Sequence, residues 1–444
     1  MLLWRRCVGY KPAVSTRARR TPTPLTGVEP AISPLARWWH RVTGPFWVVP
    51  VTWCVAVGVV GLAMPRLETA GLSDHLFFLF PSDVEGARSV LGAIASAMIS
   101  VTGLVFSNTM VVLQLASSQY SPRVLRSFLD DRVTQHTLGL FTGSFVYALT
   151  LMRSLGGGNG DPVPQVGLVL AYLLVLAAVG MFLAFIHHIT QAVGVTNVLQ
   201  RTANETRDLL ARTQDEARPS PASEAWDDDA APSIRPHVVV ADHSGYLDLV
   251  DVHHLVRVAH RHEGRVDVLH PLGTFVVEGS PVALVHAPEL EAEARDQVDR
   301  SVCSALELAQ ERTLRQDVSF GLRRLVDIAE RALSPGVNDP TTAVQAIDQL
   351  HDLLRRMAVV DPTSPHLHDE DGVLRLVTRP FSFGDYLDLA VDEVAHWGRD
   401  SIQIPRRLTA MLDELEAAAI PAHRDAVRAK QVELARDERG GAVS

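Results

Sequence analysis

The chain has few cysteines and carries none of the common catalytic signatures. Only three cysteines occur in 444 residues, Cys7, Cys54 and Cys303, and they lie far apart. That spacing excludes a disulfide framework and a Cys-x-x-Cys metal pair, and it points to a reduced, cytoplasm-facing setting for the soluble part. There is no Walker loop, no Gly-x-Ser-x-Gly elbow, no dinucleotide fingerprint and no His-Glu-x-x-His helix. The expectation is therefore no enzyme, no cofactor and no metal. Positive charge is not in excess either: the net charge is −10, with the acids mostly in the second half. No nucleic-acid partner is expected from that balance. Residues 1–35 lack any acid before Glu29 and lack the apolar core of a cleavable signal. They read as a basic, disordered tail suited to an anionic inner leaflet. No fixed-period repeat is evident.

What the first half does have is long apolar runs. Four stand out, at 46–64, 90–115, 136–152 and 166–189. Each approaches the roughly 20 residues that a bilayer requires. The third, with Thr142, Ser144 and Tyr147 inside it, is the weakest and reads either as a span or as a partly buried, re-entrant segment. Ser82 followed by Glu85 fits a capping box that starts the second helix. Basic residues cluster before the first run, in the loop with Arg123, Arg126 and Arg132, and after the fourth run at Arg201, Arg207 and Arg212. The positive-inside rule then predicts both termini in the cytoplasm. Trp38, Trp39, Phe46 and Trp47 suit an inner aromatic anchor, and Phe77, Phe78 and Phe80 an outer one.

The second run carries the most information. Ser96, Ser100, Gly103, Ser107 and Gln114 fall at offsets 0, 4, 7, 11 and 18, which puts them in one stripe on a helix. Asn108 adds an amide next to Ser107. Hydrocarbon penalises such groups, so they should face protein or water. The stripe is either a tight seam between helices or the wall of an aqueous path.

The second half is charged and soluble in character. A helix leaves the membrane at 197–210, and a linker at 214–236 carries Pro219, Pro221, Pro232 and the run Asp227, Asp228, Asp229. Short β-type runs follow at 237–241 and 265–270 around a helix at 251–261, and Glu278-Gly279-Ser280 signals a hairpin between 274–277 and 281–286. Its Gly-x-x-Val-x-x-Gly rhythm resembles a lipoyl-type half-barrel weakly, but no lysine stands at the turn. From 291 onward apolar residues recur at helical spacing. The domain boundaries read as a basic tail at 1–35, a four-span membrane domain at 36–195, a helical extension and acidic linker at 196–236, a small β-rich subdomain at 237–290, a helical subdomain at 291–420 and a polar tail at 421–444. The expected fold class is an α-helical multi-pass membrane protein with a cytoplasmic α+β carboxy-terminal domain.

Candidate sites have structural alternatives. In Ala332-Leu333-Ser334-Pro335-Gly336-Val337-Asn338-Asp339-Pro340, Pro335 and Gly336 end one helix and Asp339 caps the next with Pro340 in its first turn. A ligand site would use Asn338, Asp339 and the free amides of that helix. Upstream, Gln316, Asp317 and Arg324 are read either as a polar network between helices or as a pocket in which Asp317 and Asn338 converge. Eight histidines crowd 237–286 without metal-ligand spacing, so they read as solvated or pH-responsive groups. His187 and His188 read as interfacial anchors at the end of the fourth run. The glycine-rich segment at 156–161 reads as a turn.

The stretches Phe46-Trp47-Val48-Val49-Pro50, Ser107-Asn108-Thr109 through Ser117-Ser118-Gln119-Tyr120-Ser121-Pro122-Arg123, Ile186-His187-His188-Ile189, Ser244-Gly245-Tyr246-Leu247, Gln316-Asp317 through Phe320-Gly321 and Leu333 to Pro340 together resemble a bacterial family of predicted membrane proteins, domain of unknown function 2254. The resemblance runs from about residue 35 to about 413. It implies a multi-pass membrane protein with a cytoplasmic carboxy-terminal domain, and no established activity. Two functions remain open: an oligomeric, channel-like or transport-related protein with a regulatory domain, and a membrane-anchored sensor or scaffold. The expected partners are the lipid bilayer and further copies of the chain, with the ion, small-molecule or protein partner unidentified.

Overall fold

The computed structural model describes residues 46–68, 84–119, 131–155, 165–192, 194–216, 235–288 and 292–441. The basic tail, the anchors Trp38, Trp39, Phe77, Phe78 and Phe80, the Ser82 cap, Arg123, Arg126, the turn at 156–161 and most of the acidic linker lie outside the described residues.

Four helices form the amino-terminal bundle: α1 (Val48–Glu68), α2 (Val84–Gln119), α3 (Arg132–Ser154) and α4 (Gln165–Ala192). Two stretches are long and apolar enough to cross a membrane, Val84–Gln114 in α2 and Gln165–Gln191 in α4, and Val48–Met64 is a shorter apolar helix. The third run, weakest in sequence, becomes the centre of the bundle, with α1, α2 and α4 packed around it. Its low hydropathy has a physical reason. Phe141, Ser144, Tyr147, Ala148 and Leu151 are buried in protein, so α3 does not need to be apolar all round. Its hydroxyls are used locally: Thr137 donates to the Val133 carbonyl and Ser144 to the Leu140 carbonyl, both at 2.7 Å. Tyr147 donates across the bundle to the Gly167 carbonyl at 3.0 Å. Gly139 lets α1 approach closely, since a Cβ there would stand 2.5 Å from Cδ1 of Trp53. The Trp53 indole in turn donates to Nδ1 of His136 at 3.0 Å.

Helix α5 (Val195–Glu216) follows directly and belongs to both halves. Val198, Leu199, Leu209 and Leu210 are buried in the core of the carboxy-terminal helices α8 (Val318–Leu333), α9 (Pro340–Ala358), α10 (Phe383–Gly398), α11 (Gln403–Ala418) and α12 (Pro421–Gly441). Burying each such leucine contributes about 1.5–3 kcal/mol. At Gly321 the backbone of α8 lies so close to Thr206 of α5 that any Cβ would collide with that side chain.

The β-rich part holds β1 (His237–Val240), β2 (Gly245–Val250), β3 (Arg265–Val268), β4 (Phe275–Val276), β5 (Pro281–His286), β6 (Leu306–Ala309), β7 (His366–His368) and β8 (Leu374–Val377). They make two sheets, in the orders β1-β5-β3-β8-β7 and β4-β2-β6. Helices α6 (Val252–Arg261) and α7 (Ala292–Ala305) cover them, with Leu255, Val258, Val298 and Val302 buried in a second core.

Three sequence expectations change. The signal at 278–280 is a tight turn, with Gly279 at φ +80° and Ser280 donating to the Val277 carbonyl. It does not join a hairpin, because β4 pairs with β2 while β5 pairs with β1 and β3. The β-rich part does not stop at residue 290: β6 pairs with β2, and β8 pairs in parallel with β3, so two short later segments complete the sheets. The segment from 421 is not a loose polar tail. It is α12, whose Val427 is fully buried and whose Lys430 reaches Asp388, Asp392 and Glu433 at 2.6–2.8 Å. Its few apolar residues suffice because one face docks on α10 and α11 while the rest is solvated.

Candidate functional site

The stripe on α2 points away from its own bundle. Ala87, Leu91, Ala95, Met98, Val105 and Val112 form the packed face and are buried. Ser96, Ser100, Gly103, Ser107 and Gln114 are exposed. At about 100° per residue their direction is opposite to the packed face. A Cβ built on Gly103 meets nothing within 4 Å. Ser100 returns its proton to the Ser96 carbonyl at 2.8 Å, and Thr102 and Thr109, nearer the packed face, do the same to Met98 and Val105. Asn108 is exposed, but it sits about 120° round from Ser96 and so flanks the stripe. The outward side is mixed: the stripe runs between exposed Ile99, Phe106 and Met110 on one flank and exposed Leu104 and Val111 on the other.

The residues around α8 do not converge as a pocket. Asp317 caps α8, accepting from the Phe320 amide at 3.1 Å, from Arg312 and from Ser319. Asn338 follows the other end of that 16-residue helix, about 24 Å away at 1.5 Å per residue. Gln316 bonds the backbone of Val250 with both ends of its amide, accepting at 2.9 Å and donating at 3.3 Å, and so continues the edge of β2. Asp339 caps α9; the hydroxyl and then the amide of Thr342 hold its carboxyl below the ordinary range. Asn338 adopts φ 48° in the exposed turn. Arg323 pairs with Asp327 at 3.0 Å and with Glu393 at 2.7 Å. Burial, helped by Glu393, pushes the nearby Glu330 carboxyl up to about 7.

Arg324 is different. It leaves this network and reaches Glu205 of α5 at 2.9 Å, while Arg201 holds the other oxygen of the same carboxylate at 3.1 Å. Both arginines line a cavity of about 280 Å³ where α2, α3 and α4 meet α5 and α8. Thr109, Asp131, Thr134, His188, Asn197 and Thr202 share that lining. Asp131 caps α3 through the Val133 and Thr134 amides and bonds Nε2 of His188 at 3.0 Å. So His188 ties α4 to α3, a specific role beyond interfacial anchoring. His187 pairs with Gln191 one turn on. Sequence reading missed the junction because its residues are scattered over five helices. The available signal was an aspartate before α3 matched by a histidine at the end of α4.

The other histidines have separate partners. His237 meets Asp299, His260 meets Asp369, and His286 meets Asp267. Among the described residues the one group with metal-like spacing is Asp388, Asp392 and Glu433, and Nζ of Lys430 already sits among them.

A family of predicted membrane proteins, DUF2254, matches residues 43–414, and that match takes in both the helical bundle and most of the carboxy-terminal domain. This chain belongs to the DUF2254 family. The DUF2254 chain is 32% identical over 397 residues to the uncharacterized protein Rv1290c of Mycobacterium tuberculosis strain H37Rv, covering 85% of itself and 72% of that relative. The uncharacterized protein Mb1321c of Mycobacterium bovis is similar to the same degree and over the same shares. No solved structure matches the chain. The DUF2254 chain thus belongs to a family of predicted membrane proteins, and it has two helices long and apolar enough to span together with a mixed α+β carboxy-terminal domain.

Proposed function

We propose that this protein is a subunit of a homo-oligomeric, channel-like assembly in the bacterial plasma membrane. In this reading α1 to α4 all span, both termini are cytoplasmic, and α2 stripes from several copies surround a polar path. The carboxy-terminal domain regulates that path through α5. The observation that carries the reading is the outward stripe of Ser96, Ser100, Ser107 and Gln114 opposite an apolar packed face. Ser100 bonds the Ser96 carbonyl, but lipid contact would leave the Gln114 amide unsatisfied, and a second copy or water would satisfy it.

The same stripe supports a second reading. Ser96 and Ser100, and Gly103 and Ser107, are each four apart, a small-x-x-x-small spacing suited to close helix contact. The stripe would then be a dry seam in a membrane-anchored sensor or scaffold.

The test is cysteine scanning in membranes, after Cys7, Cys54 and Cys303 are replaced by serine. Under the channel reading Ser100→Cys, Ser107→Cys and Gln114→Cys react with a water-soluble maleimide while Val105→Cys does not. Purified protein then passes current in a planar bilayer, and Ser107→Leu changes the conductance. Unlabelled stripe positions, no current, and disulfides between copies at Ser107→Cys would replace the channel reading with the scaffold.

A further inference from the structure

The lining of the junction cavity holds two guanidiniums and one carboxylate. Two guanidiniums, Arg201 and Arg324, lean on the one carboxylate of Glu205. The one acid in the lining, Asp131, bonds His188 and the first amides of α3. Arg324 is only 5% exposed, yet its Nε finds no acceptor. Arginine cannot shed its charge, and its five donors fit the oxygens of a phosphate in pairs. Glu205 takes one N–H from each guanidinium, so each keeps further donors for an anion that enters. The space suffices: about 280 Å³ exceeds the roughly 30 Å³ share of one water many times over. The neutral donors on the wall, Thr202 and the Asn197 amide, are of the type that completes an oxyanion shell.

We infer that this cavity binds a phosphate-bearing anion, held by Arg201 and Arg324 between the membrane helices and the carboxy-terminal domain. Two sources share that chemistry: the headgroup of a neighbouring phospholipid and a free phosphate compound. The inference does not rest on what the α2 stripe lines, since none of the stripe residues touches the cavity.

The experiment uses the full chain purified in mild detergent. Arg201→Gln is the variant of choice, because the Arg201 side chain is 54% exposed and its loss leaves the core intact. Arg428→Gln, 60% exposed on α12, is the control. One arm measures the melting temperature with inorganic phosphate against chloride at matched ionic strength. At ten times Kd, phosphate should raise it by about 3 °C in the wild type and the control, and by nothing in Arg201→Gln. The second arm counts phosphatidylglycerol retained in native mass spectrometry. A phosphate shift assigns a free anion. Retained lipid that falls at least about fivefold in Arg201→Gln, without a phosphate shift, assigns a headgroup; such a fall is a coupling within the usual range for one charged contact. Neither effect in the wild type, or the same effect in Arg201→Gln, overturns the inference.

Discussion

Helices α2 and α3 both carry hydroxyls and amides through an apolar bundle, and they dispose of them in opposite ways. In α3 the polar side chains turn inward, where Ser144, Thr137 and Tyr147 each bond a backbone carbonyl. In α2 the inward face is alanine, leucine, methionine and valine, and the polar side is left open. The difference separates a fold determinant from a surface meant for something else. Polar groups that stabilise a single chain are satisfied within it. In α2, Ser100, Thr102 and Thr109 bond carbonyls of their own helix, while the exposed Gln114 amide faces away from the bundle.

Substitutions can break this comparison. The largest effect is expected from Tyr147→Ala, which empties a fully buried site and removes the bond to Gly167. It should cost about 3–5 kcal/mol, measured as a shift in an SDS titration of the purified protein. A cost no larger than that of a surface change would erase the contrast between the two helices. Asp317→Ala extends the test to the carboxy-terminal domain, where an inward polar group also fixes the fold. It removes the α8 cap and the partner of Arg312, for an expected loss of about 2 kcal/mol in thermal or denaturant unfolding.

Glu330 sharpens the same point by pH. Its folded carboxyl is raised to about 7, first by burial and then by Glu393. Below about pH 4.5 both folded and unfolded forms are protonated and the group contributes nothing. Between about 4.5 and 7 the unfolded chain ionises first, so stability falls as pH rises, and above 7 the loss levels off. Glu330→Gln should flatten that slope and leave the variant more stable than the wild type at pH 8. A wild-type stability that rises across this window would contradict the assignment. The smallest effect on the isolated subunit is expected from Ser107→Leu, within about 0.5 kcal/mol. Its consequence should appear instead in subunit number by light scattering, or in current.

Much of this was legible in sequence. The four apolar runs at 46–64, 90–115, 136–152 and 166–189 correspond to α1 to α4, and the offsets from Ser96 to Gln114 give one helix side. The Asp339 cap and the Arg323–Asp327 pair could be read from local spacing alone. Local spacing could not reveal which way the stripe faced, because that depends on α3 and α4 occupying the other side. Nor could it reveal that β8 would pair with the distant β3, or that α12 would dock through Val427. The pocket drawn around Asp317 and Asn338 failed for a simple reason: a straight helix separates them.

Gly321 has a mechanical consequence. With backbone pressed on the Thr206 side chain, α5 and α8 have no slack between them. Close-packed interiors transmit displacement instead of absorbing it. A shift of α5 at this point must therefore carry α8 with it, because the gap between them is the width of one missing methyl group.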